Sequence, residues 1–200
     1  MMNYLFINGY KTINTEEFYK WYTGKIEYYG KTLMITFDDG NYEDYYLAYP
    51  IIKKYNFKAI SFLVGSKINK TTKKYNKINK GLIGLDIINK LRKEYPNFEF
   101  QSHSYNMHSL INGTGKLFSM SYQEIEEDFL LNRKYNFSSM SYPYGYYNKQ
   151  IREVLYKNNY SVAFGFWPYM CSSRESDRFL IPRIKINSTA GLNTLIKWLK

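Results

Sequence analysis

Short apolar runs that alternate with helix-patterned segments restrict the folds open to this chain more than any other feature. Residues 31–37 (KTLMITF), 59–64 (AISFLV), 98–101, 137–142, 161–166 and 179–186 read as strands, being short and rich in β-branched or aromatic side chains. Between them, residues 15–21, 42–55, 85–95, 121–135 and 148–157 carry helical character, and residues 189–199 form a closing amphipathic helix. Local chemistry supports these boundaries. Ser121 and Glu124 make a capping box ahead of Ile125 and Phe129. Asn148 caps the next helix, Pro96 ends the one carrying Ile87, Ile88 and Leu91, and Pro50 fits only at a kink or a helix start. The alternation predicts βαβ units, right-handed crossovers and a largely parallel sheet in a single α/β domain over residues 1–200.

A chain of 200 residues can bury enough apolar surface to fold without staples. Its one cysteine, Cys171, excludes an intrachain disulfide and a cysteine-rich zinc site, so any metal must sit on histidine and carboxylate. The chain is basic, with 28 Lys+Arg against 17 Asp+Glu, and holds 23 tyrosines. Such a composition suits phosphate and base contacts, an anionic surface or sugar rings, and equally an adenine- and thymine-rich coding sequence. Composition does not choose among them. Residues 67–80, rich in Lys, Asn and Thr, read as a solvated loop. No stretch is long and apolar enough to cross a bilayer, and residues 1–14 lack the pattern of a secretory signal. The abrupt opening on Tyr4-Leu5-Phe6-Ile7 and the helix that runs to Lys200 suggest truncation at one or both ends.

Three polar clusters share one position: Asp38-Asp39, His103 and Pro143-Tyr144-Gly145 each follow the C-terminal end of an expected strand. Loops of parallel α/β folds and barrels gather functional groups there. The only two histidines, His103 and His108, lie five apart, which on a regular helix turns them about 140° away from each other. A loop could bring the imidazoles together. Two histidines and a carboxylate from Asp38-Asp39 then make a common open metal site, with the second aspartate free to accept a proton.

These residues also carry a family resemblance. Thr36-Phe37-Asp38-Asp39-Gly40, His103-Ser104 through His108, and Ser141-Tyr142-Pro143-Tyr144-Gly145 stand in the order and approximate spacing of the polysaccharide deacetylase family, the NodB-homology or carbohydrate esterase 4 domains. The likeness runs from Gly9-Tyr10 to Arg183-Ile184. It implies an α/β fold, a distorted, incomplete (β/α) barrel. It further implies Asp38 as base and Asp39, His103 and His108 as ligands of one divalent ion, zinc first, with cobalt, nickel or iron compatible. Pro143 and Gly145 would fix the turn that aims the Tyr144 backbone N–H at an oxyanion, and Trp167 would line a sugar groove. Histidines five apart resemble the poly-N-acetylglucosamine deacetylase branch. The implied reaction is metal-assisted hydrolysis of N-acetyl groups on such a polymer or on peptidoglycan, at the cell surface or outside the cell, with no nucleic-acid partner.

Two departures from the family pattern stand out. Many relatives place an arginine where this chain has Ser141, and Arg183 is the candidate to orient Asp38 instead. Many also supply a late histidine as general acid, and no third histidine exists here. The alternative is therefore a carbohydrate-binding relative with impaired turnover.

Overall fold

Five short strands pair into one sheet: β1 (Thr36–Phe37), β2 (Ala59–Leu63), β3 (Phe98–Ser102), β4 (Ser139–Ser141) and β5 (Val162–Phe164). The computed structural model describes residues 1–74, 81–166, 173–186 and 190–199. Sheet order follows chain order and every pairing is parallel, with Thr36 opposite Ile60, Ser61 opposite Phe100, Ser102 opposite Met140 and Met140 opposite Ala163. The sheet curls as a half-barrel flanked by helices, the incomplete barrel anticipated above.

Alternation along β2 shows how the two faces are filled. Ala59 and Leu63 join one core with Ile52, Ile88, Leu91 and Phe98, whereas Ile60 and Phe62 pack with Phe18, Val162 and Phe164. All five β2 residues are buried, as expected of a parallel strand covered on both sides. A third cluster joins Ile125 and Phe129 of the helix Tyr122–Asn132 to Ile151, Val154 and Leu155 of the helix Lys149–Lys157. Burying a side chain such as Phe129 contributes about 1.5–3 kcal/mol. Both helices start where their caps predict: Ser121 and Glu124 bond each other's backbone N–H, and Asn148 accepts from Ile151.

The expected strand over residues 31–37 is split. Thr32–Leu33 pairs with Lys11–Thr12 in a separate two-stranded sheet, and only Thr36–Phe37 enters the main one. Residues 179–186 form a single parallel bridge, Ile181 to Phe164: Ile181 donates to Ala163 and accepts from Gly165, and the next acceptor along that strand, the Gly165 carbonyl, takes Arg183 Nε in place of a backbone N–H. The helix over residues 42–55 opens as a π-turn, Asp44–Ala48, before the α-helix Tyr49–Lys54 with Pro50 near its start. Residues 67–74 are tied down more than a solvated loop: Lys73 pairs with Leu82, and Asp86 accepts from the Thr72 N–H. The N-terminal segment forms a helix, Met2–Ile7, and the closing helix spans Leu192–Trp198. No helix among the described residues is long and apolar enough to cross a membrane.

Candidate metal and catalytic centre

Asp38 and Asp39 leave the end of β1 through a left-handed turn, Asp39 at φ 76° and Gly40 at φ 68°. A non-glycine residue there costs roughly 1–2 kcal/mol, and the turn sends neighbouring carboxylates to different partners. Gly40 is required twice over, since a Cβ would also meet the Leu63 side chain at 2.6 Å. His103 directly follows β3, its N–H bonded to the Leu63 carbonyl at 2.8 Å. The chain then reverses through Ser104, at φ 65°, and brings His108 back. A loop, not a helix, joins the two imidazoles, whose ring centres lie 4.8 Å apart.

Asp39 Oδ1 stands 2.9 Å from His108 Nε2 and 3.5 Å from His103 Nε2. One potential ligand atom from each of the three residues lies within 4.8 Å of the others. His103 Nδ1 is 2.8 Å from the Ser141 carbonyl oxygen, which can only accept, so Nδ1 carries the proton and Nε2 is left with its lone pair facing Asp39. Burial holds the His103 pKa below its ordinary value, which keeps the ring neutral and able to ligate. The His108 hydrogen bond lowers the pKa of Asp39 in spite of partial burial. A carboxylate and two imidazole nitrogens of this kind fit a divalent transition metal and leave coordination positions open.

Asp38 faces the other way. Arg183 grips it with two hydrogen bonds of 2.8 Å, Nη1 to Oδ1 and Nη2 to Oδ2, and also donates to Ser141 Oγ at 2.5 Å and Thr36 Oγ1 at 3.2 Å. Burial pushes the Asp38 pKa up, but the Arg183 guanidinium outweighs it and holds the carboxyl below the usual range. The guanidinium that position 141 lacks thus arrives from residue 183.

Tyr144 follows β4 in another left-handed turn, at φ 58°, between buried Pro143 and Gly145 at φ 78°. Its ring stacks on His108 with centroids 4.7 Å apart, and its backbone N–H meets no protein acceptor among the described residues. Asp38, Asp39, His103, His108, Tyr144 and Arg183 all line one cavity of about 600 Å³. Pro143 and Gly145 flank Tyr144 but are not among the residues that line it, and Trp167 and Cys171 lie outside the described residues.

Two acidic residues with a place here were not singled out from sequence. Asp44 lines the same cavity, is buried, and accepts from Ser61 Oγ at 2.7 Å. Burial, reinforced by the charges of Asp38 and Asp39, pushes its pKa up to about 7. Asp128 binds the backbone of the loop between the histidines. Both sit in segments read as helical, where an acidic residue is unremarked unless its partner is known.

Comparisons with known proteins point to one family. A family model described as polysaccharide deacetylase matches residues 25–163. The poly-beta-1,6-N-acetyl-D-glucosamine N-deacetylase of Staphylococcus epidermidis is 29% identical over 196 residues, covering 94% of this chain and 65% of that protein. Its Staphylococcus aureus (strain MRSA252) counterpart is 28% identical over 200 residues with the same coverage. The chain therefore spans about 65% of the length of the curated relatives it matches. The fold is shared with a Streptococcus pyogenes deacetylase, PplD, solved with acetate (TM-score 0.81, 20% identity, 100% of this chain and 84% of that one). It is shared too with IcaB from Ammonifex degensii (TM-score 0.80, 18% identity, 99% and 85%). With a family match over most of its length and that family's three motifs gathered at one cavity, this chain belongs to the polysaccharide deacetylase family.

Proposed function

We propose that this chain is a metal-dependent N-deacetylase that hydrolyses acetyl groups from a polymer of N-acetylglucosamine, at the cell surface or outside the cell. The observation that carries the reading is the convergence of Asp39, His103 and His108 beside an Asp38 clamped by Arg183. The names of the Staphylococcus relatives support a β-1,6-linked N-acetylglucosamine polymer as substrate.

Asp39, His103 and His108 would hold the ion, zinc first, with cobalt, nickel or iron accepted by the same donors. When bound, it supplies Lewis acidity toward an amide carbonyl and toward water. Asp38 takes the proton from the attacking water, for which its ionised state suits it. The Tyr144 N–H stands ready to donate to the oxygen that gains charge, a contribution of about 3–4 kcal/mol when such a donor is well placed. Asp38 then returns its proton to the departing amine, and acetate and a free amino sugar result.

Acetate release from an acetylated N-acetylglucosamine oligomer tests this. Activity should vanish with a chelator, return with added zinc, and fall by about a hundredfold to ten-thousandfold in Asp38→Asn. One other reading is a carbohydrate binder with impaired turnover, since both histidines of these 200 residues are assigned to the ion and leave none as general acid. Oligomer binding without acetate release in the zinc-loaded protein would establish that reading instead.

A further inference from the structure

The two histidines are positioned by different means. His103 is fixed by the sheet itself, through its N–H to Leu63 and its Nδ1 to the Ser141 carbonyl. His108 hangs at the far end of a loop and inherits its place from whatever holds that loop.

One side chain grips the loop at its middle. Asp128, on the helix Tyr122–Asn132, accepts the Tyr105 N–H at 2.7 Å on one carboxylate oxygen and the Asn106 N–H at 2.6 Å on the other. It is only 3% exposed and forms no ion pair among the described residues. Burying a carboxyl without a cation is costly unless hydrogen bonds compensate, and here both oxygens are committed to consecutive amides of one loop. On the opposite side, Gly65 and Ser66 donate their N–H groups to the carbonyls of Ser104 and Tyr105. The loop is thus clamped between the end of β2 and a helix that contributes nothing to the cavity wall.

We propose that Asp128 is a positioning residue of the metal centre: its grip on the Tyr105 and Asn106 amides sets where His108 stands relative to Asp39 and His103, and thereby the affinity for the ion. The inference rests on the metal-centre reading above. A neutral amide in place of the carboxylate has one acceptor for two N–H groups and turns an NH₂ against the second.

Zinc affinity, measured by competition with a chromogenic chelator, and the visible absorption of the cobalt-substituted protein test it in the whole chain. Asp128→Asn should bind zinc about tenfold to a hundredfold more weakly and change the cobalt spectrum, at temperatures where circular dichroism shows it folded. Asp128→Glu and Asp128→Gln form a pair of equal volume in which packing effects cancel. The Glu variant should bind zinc more tightly than the Gln variant by at least threefold. Wild-type affinity and spectrum in Asp128→Asn, or equal affinities in the Glu and Gln pair, would overturn the inference. Failure of the wild-type chain to bind zinc would overturn the metal-centre reading, and this inference with it.

Discussion

At the scale of single residues, the Asp38–Arg183 pair joins two segments far apart in the chain. Position 141 carries a serine, yet a guanidinium reaches Asp38 with bidentate geometry from 145 residues away, and Ser141 becomes one of its acceptors. Removing it in Arg183→Met leaves burial as the dominant influence on Asp38, and burial favours the protonated acid. The acid limb of the pH profile of kcat/KM should therefore move to higher pH, by about 1–3 units. An unchanged limb would show that Asp38 is not the titrating base. Asp44 gives a second prediction, for the metal-free chain. Its carboxyl titrates near 7 when folded against an ordinary 3.8, so the folded state binds the proton more tightly between those values. Stability contributed by Asp44 is present below pH 4, falls as pH rises toward 7, and stays low above. Asp44→Asn should flatten that slope and stabilise the chain at pH 8 by up to roughly 4 kcal/mol, read from urea unfolding across the range. An equal slope in both proteins contradicts the assignment. Asp38, Asp39, His103 and His108 could be read from sequence because each cluster follows a recognisable strand. Asp44 and Asp128 could not, because what gives them meaning lies 17 and 22–23 positions away, at Ser61 and at the Tyr105 and Asn106 amides.

At the scale of elements, buried parallel strands announce themselves as short apolar runs, and capped helices by their first four residues. β2, β3 and the helices that start after Ser121 and Asn148 accordingly lie where the sequence puts them. Residues 31–37 carry one uninterrupted apolar run but serve two sheets, a choice made by their partners: Lys11–Thr12 on one side and Ala59–Leu63 on the other. Residues 179–186 have strand composition but keep a single bridge at Ile181, because the Arg183 side chain takes the Gly165 carbonyl and turns to Asp38. Where β2 ends, Gly65 leaves room for the histidine loop: a Cβ there would collide with Asn132 Oδ1 and would meet the Tyr105 ring at 2.6 Å. Gly65→Ala should cost about 1–3 kcal/mol of stability in thermal unfolding, the usual range for overpacking, and weaken zinc binding as the loop shifts. A variant as stable as the parent, with unaltered zinc affinity, would show that the loop is not confined at this point.

At the scale of the whole molecule, a sheet whose spatial order follows its sequence order places every strand's C-terminal end along one edge. Asp38-Asp39, His103 and Tyr144 come from β1, β3 and β4, and meet because that edge curls into a half-barrel mouth. The strand-end rule made this convergence legible before any coordinates, and the closing contact comes from Arg183, in a late segment that the sequence marks as a strand but whose pairing to Asp38 only the fold shows. The central claim is that Asp39, His103 and His108 together hold one ion. Calorimetric titration of the metal-free chain with zinc tests it directly. One ion per chain is expected, with affinity reduced by about a hundredfold or more in each of Asp39→Ala, His103→Ala and His108→Ala, since losing a ligand should exceed the loss of an outer partner. Zinc bound with parental affinity by any of the three variants would contradict it.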